Sequence, residues 1–71
     1  MVIYLQNRKG ITKMPKEVWV KQYGTKGVIV CTGRANPYIG EYESEERANE
    51  VLAEMFKYCQ NGENSYVMPK E

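Results

Sequence analysis

Apolar residues recur at two different periods along this chain, and the change of period falls near residue 44. Before it, short β-prone runs alternate with turn residues; after it, the spacing is helical. Val2 to Gln6 reads as a strand, and Ile11 to Met14 as its returning arm. Asn7-Arg8-Lys9-Gly10 between them reads as a turn, because Asn and Gly tolerate positive φ. Pro15 cannot donate a ladder hydrogen bond and marks a break or an edge. Glu17 to Tyr23 is rich in β-formers, with Val18 and Val20 on one face and Trp19, Lys21 and Tyr23 on the other. Gly24-Thr25-Lys26-Gly27 is a hairpin turn signal. Val28 to Thr32 is the most apolar run and the expected central strand. After a second turn, Gly33 to Pro37, the stretch Tyr38 to Tyr42 completes a meander.

Ser44 then suits a helix N-cap, since its hydroxyl can accept from an otherwise unpaired amide. Glu45 and Glu46 follow in the first turn, where the helix dipole favours negative charge. Ala48, Val51, Leu52, Met55 and Cys59 form one apolar stripe, which Phe56 widens. Glu54 and Tyr58 fall on the outer, polar side. Asn61-Gly62 is a stop, with Gly62 free to take the left-handed cap. Ser65 to Met68 is a short final strand, ended by Pro69. The predicted fold class is α+β: a small antiparallel sheet of three to five strands in a meander, one α-helix packed on one face and a short C-terminal strand, all in one domain over residues 1–71.

Length limits what this pattern can achieve. A chain of 71 residues buries only about 60% of its unfolded surface. Cores of this size supply roughly 3–5 kcal/mol unaided, and the usual help is disulfides, a metal or self-association. Two cysteines, Cys31 and Cys59, do not make a disulfide framework. Both are expected to be reduced, small buried hydrophobes, as Met14, Met55 and Met68 are expected to be core fillers. The apolar start is too short for a signal peptide, and no run approaches the roughly 20 apolar residues of a membrane span. The expected location is cytoplasmic, with no membrane association.

The missing residue types bear on chemistry. The chain has no His and no Asp. Without His the usual general base near neutral pH is gone, and the histidine-dependent nucleophile arrangements go with it. Two isolated cysteines do not make a four-ligand zinc site, and a calcium loop lacks its first acidic ligand. The expectation is a non-enzymatic protein with no cofactor and no metal.

Charge adds a polarity. Residues 1–36 carry seven basic side chains against Glu17 alone, residues 37–71 carry three against eight glutamates, and the whole chain nets +1. Trp19, Lys21, Tyr23, Lys26, Arg34 and Tyr38 are the candidate binding residues. Aromatic side chains beside cations anchor protein interfaces, and they also stack bases. Near-neutral net charge and the absence of a reading motif place nucleic acid behind a protein partner. The Gln22 to Gly27 segment lacks the phosphate-loop spacing and is read as a plain hairpin turn.

Ile39-Gly40-Glu41-Tyr42-Glu43-Ser44-Glu45-Glu46-Arg47-Ala48, then Val51-Leu52 and the ending Tyr66-Val67-Met68-Pro69, resemble a group of short proteins encoded in prophages and genomes of Gram-positive bacteria. These share a G-E-Y-x-S-x-E-x-A helix start and a terminal Y-x-M-P strand. The resemblance covers residues 38–69, while the N-terminal half matches only in its strand-turn-strand outline. The shared residues are structural, so they imply a fold and carry over no functional residue. The implied setting is a phage or prophage accessory protein in a bacterial host. With the missing catalytic residue types, the small size and the bipolar charge, the leading expectation is a homodimer that binds and occludes a host defence protein. Capture of a small nucleotide signal between subunits is the alternative, and direct nucleic-acid binding stands third.

Overall fold

The structure, a computed structural model describing residues 1–71, divides six strands between two small sheets. In chain order the elements are β1 (Val2–Tyr4), β2 (Ile11–Lys13), β3 (Val18–Tyr23), β4 (Lys26–Cys31), β5 (Tyr38–Tyr42), α1 (Glu45–Gln60) and β6 (Ser65–Val67). The expected α+β class and the meander are present as β3-β4-β5, with β4 in the centre. The first hairpin does not extend that meander. It forms a second sheet of order β2-β1-β6, in which β6 runs parallel to β1, pairing Ile3 with Tyr66. Parallel partners need a long crossover, so local pattern carries no trace of the pairing.

The meander follows from its turns. β3 and β4 join through Gly24-Thr25, with Tyr23 opposite Lys26 and Gly24 at φ 59°, the positive value that two-residue hairpins with Gly at the first central position require. Lys26 and Gly27, expected in the turn, are therefore strand residues. Between β4 and β5 the register shifts at Ile29/Val30, which pair with Gly40 and Tyr38. The extra residue, Ile39, turns into the core while Tyr38 stays outside, the re-aiming that a bulge provides.

The β1–β2 turn corrects one expectation. Asn7 does not take the positive φ; Arg8 does, at 61°. Asn7 instead accepts from the Lys9 amide through Oδ1 at 2.8 Å. A left-handed non-glycine residue costs roughly 1–2 kcal/mol. The Arg8 guanidinium offsets this by donating to the carbonyls of Leu5 at 3.1 Å and Met68 at 2.7 Å, which also ties the turn to the strand-end after β6.

Helix α1 begins as its sequence suggests, with Ser44 Oγ accepting from the Arg47 amide at 3.0 Å. It ends in a Schellman pair: Gly62, at φ 75°, donates to Cys59 and Glu63 donates to Tyr58. The helix lies on the inner face of the meander, where Ala48, Val51 and Met55 are buried. Gly27 makes this approach possible. A Cβ there would lie 2.5 Å from the Ser44 carbonyl oxygen and 2.8 Å from the Ala48 Cβ. The core joins both sheets and the helix through Ile3, Ile29, Ile39, Tyr42, Met55 and Met68.

Four stripe and filler assignments need correction. Cys31 is buried, but Cys59 is exposed. Phe56 is 41% exposed and Leu52 only half-buried, because one helix over a narrow sheet leaves its β3-side flank uncovered. Met55 and Met68 are core residues, whereas Met14 packs at the margin.

Candidate functional site

Strand alternation gives the meander a second face, turned away from α1. On β3 it presents Trp19, Lys21 and Tyr23; on β4, Lys26, Val28 and Val30; on β5, Tyr38 and Glu41. Val28 and Val30 are buried there, at 7% and 6% exposure, beneath larger neighbours. Trp19 and Tyr23 are 43% exposed and Tyr38 49%; Trp19 and Tyr38 flank Val30 in the register, and Tyr23 stands opposite Lys26. Pairing to a central strand holds these side chains on a rigid platform.

The groups of the face engage one another. The Tyr23 and Tyr38 hydroxyls share a hydrogen bond at 3.0 Å, and their rings meet edge to face with centroids 6.2 Å apart. The Lys21 Nζ sits 5.2 Å from the Tyr23 ring centroid, within cation–π range. The Tyr38 bond, and next Lys21, hold the Tyr23 hydroxyl below its ordinary pKa. The same bond, seen from Tyr38, pushes that hydroxyl up.

The structure brings together five of the six candidate residues and separates the sixth. Lys26 joins the face, but its ammonium pairs with Glu41 at 2.8 Å, which raises its pKa and neutralises it locally. Both side chains are more than half exposed, so the pair adds little to stability. Arg34 lies beyond β4, at the end away from the Tyr23–Lys26 turn. There it lines a separate groove of about 370 Å³ with Lys13 and Lys16.

Sequence reasoning missed Gln6 and Asn7. Beside the Tyr23–Tyr38 pair runs a groove of about 500 Å³, floored by Val28, Ile39 and Gly40 and walled by Gln6, Asn7 and Glu41. Gln6 crosses from the first sheet. Its Oε1 accepts from the Glu41 amide at 2.6 Å, and its Nε2 donates to the Glu41 carbonyl at 2.5 Å and the Lys70 carbonyl at 2.9 Å. No local pattern marks a glutamine for such a role; only the tertiary meeting of two sheets does. Gly40 permits it, since a Cβ there would press on the Met68 methyl and approach the Gln6 amide.

No helix is long and apolar enough to cross a membrane. Compared with protein-family models, with curated proteins and with solved structures, the chain matches none.

Proposed function

We propose that this chain is a non-enzymatic binding protein that engages a bacterial host protein through the solvent face of the β3-β4-β5 meander and occludes it. One observation carries the reading: Trp19, Lys21, Tyr23 and Tyr38 stand together, half-exposed, on a sheet whose opposite face is covered by α1. Clustered Trp and Tyr on a rigid support are the residue types that dominate protein interfaces. The lack of His and Asp supports binding over catalysis. The sequence resemblance supports a phage or prophage accessory role in the host cytoplasm, directed at host defence, and the small core supports a chain that acts as a homodimer.

The test compares tagged protein with the Trp19→Ala/Tyr23→Ala double variant in pull-downs from bacterial lysate. The wild type should retain a specific host protein that the variant loses while its far-UV circular dichroism is unchanged. Equal recovery by both proteins would falsify the assignment of this face.

A second reading, capture of a nucleotide signal, draws on the groove beside Tyr23 and Tyr38, whose apolar floor and aromatic wall suit a base. It predicts a mass adduct in native mass spectrometry and heat in titrations with cyclic nucleotides. Direct nucleic-acid binding is weakened by the Lys26–Glu41 pair, which neutralises one cation of the face.

A further inference from the structure

The meander has two edges, and the fold treats them differently. At the β5 edge the outward N–H and C=O of Glu41 are taken by the Gln6 side chain. The β3 edge has no such cover. Glu17 accepts from the Thr32 amide at 3.1 Å and Tyr23 pairs with Lys26 across the tight turn, so the odd-numbered residues of β3 bond to β4. Val18, Val20 and Gln22 therefore point their N–H and C=O groups outward, and no other backbone group of the chain takes them. A six-residue edge free of proline is a template for another strand.

A second observation lies beside this edge. On α1, the flank bearing Arg47, Glu54 and Tyr58 is engaged with Glu71 and Tyr66. Helical spacing places Leu52 and Phe56 on the other flank, toward β3. Phe56 is 41% exposed there, an apolar ring bordering an open edge.

We propose that β3 pairs antiparallel with β3 of a second copy, about a two-fold axis at Val20, to make one six-stranded sheet. The register follows from the residues. Centring on Val20 pairs Val18 with Gln22 of the partner subunit and Val20 with its own copy, which uses all three outward residues on each strand. A shift by one pair toward Gln22 sets Lys21 against its own copy, a like-charge contact that destabilises a cross-strand pair. A shift toward Val18 leaves Gln22 without a partner from β3. In the Val20 register each Trp19 faces Lys21 of the partner subunit on the solvent side, an opposition of ring and cation that is repeated by symmetry. On the other side the two helices lie over the same sheet face. Their supporting strands are three strand spacings apart, roughly 14 Å, wider than the 8–10 Å of directly packed helices. The Leu52 and Phe56 flanks fill that space.

This inference deepens the homodimer in the proposed function and rests on that part of it alone, since Trp19, Lys21 and Tyr23 stay on the solvent face. Sedimentation velocity over a concentration series should give wild-type protein at twice the 8.2 kDa chain mass. Val20→Pro removes an outward N–H at an edge position where proline is tolerated, and it should halve the mass with the circular dichroism unchanged. In a Cys59→Ser background, Val20→Cys should form a disulfide-linked dimer on mild oxidation and Lys21→Cys should not. Directly opposed hydrogen-bonded residues lie about 5.5 Å apart at Cα, within the span of a disulfide. The cross-link carries the test alone if the proline variant does not fold. A monomeric wild type, a dimeric Val20→Pro protein or cross-linking through Lys21→Cys instead overturns the proposal. A monomer that still captures a host protein through Trp19 and Tyr23 would sink this interface and leave the binding face standing.

Discussion

The side-chain amide of Gln6 bonds both backbone groups of Glu41, accepting from its N–H at 2.6 Å and donating to its C=O at 2.5 Å. One side chain thereby does what a neighbouring strand does for an edge residue, and it locks the first sheet to the second.

Gln6→Ala should lower stability by about 1 kcal/mol or less, the net worth of hydrogen bonds whose partners water can reach once the side chain is gone. Gln6→Glu should be no better, because a carboxylate keeps the acceptor for the Glu41 amide but faces the Glu41 and Lys70 carbonyls without a proton to donate. Urea midpoints at neutral pH check both, and a Gln6→Glu protein as stable as wild type would show that the clamp contributes nothing.

Two glycines should respond differently to the same substitution. At Gly27 a new Cβ meets backbone, the Ser44 carbonyl at 2.5 Å and the Glu45 Cα at 2.7 Å, whereas at Gly40 its nearest neighbour is the Met68 methyl at 2.6 Å. A methionine end can move and a helix start cannot without lifting off the sheet. Gly27→Ala should therefore cost about 3 kcal/mol and Gly40→Ala about 1 kcal/mol, on the scale of overpacked cores. Thermal unfolding of the two variants decides it, and a reversed order would contradict the packing described.

Alkaline pH should unfold the protein through its buried phenols. Burial pushes Tyr42 up to about 12, and burial with the Glu54 hydrogen bond pushes Tyr66 up as well. A phenol whose folded pKa is raised favours folding fully below the unfolded value near 10 and loses that contribution as pH climbs toward the folded value. Stability should thus decline from pH 10 to 12. In absorbance titration of the six tyrosines, Tyr42 and Tyr66 should ionise last, together with unfolding. Tyr42→Phe should flatten the decline while losing the 2.8 Å bond from its hydroxyl to the Pro69 carbonyl, worth about 1 kcal/mol.

The two thiols should separate cleanly. Cys59 is exposed and Cys31 buried, and burial raises the Cys31 thiol pKa, which lowers its thiolate fraction further. A thiol reagent should modify one group at once and the second only on denaturation. Rapid modification of both would place Cys31 outside the core.

How much of this was legible in the sequence depended on range. The helix from Ser44 to Gly62 and the β3–β4–β5 meander follow from caps, turns and periodicity, all within a few residues. The division of β3 was legible too, since alternation sets Val18 and Val20 on one face and Trp19, Lys21 and Tyr23 on the other, but which of the two faces the helix covers was not. The pairing of β1 with β6, the Gln6 clamp and the departure of Arg34 from the site were not. Each depends on partners far apart in the chain, and neither propensity nor spacing encodes which distant element will arrive. Phe56 and Cys59 misled for a related reason: an apolar stripe says which way a helix faces, not how wide the sheet beneath it is.

The parallel pairing of Ile3 with Tyr66 has a consequence for the order in which the protein assembles. The meander and the helix rest on contacts shorter in sequence range and can form first. The β2-β1-β6 sheet cannot, because its central strand waits for a neighbour that is synthesised almost a whole chain-length later. Until β6 arrives, Ile3 and Leu5 have only part of their core, and one side of β1 stays unpaired. The closing of that sheet is a late step with a large loop-closure entropy, and the N-terminal hairpin is the segment most exposed to misassembly before β6 pairs with it.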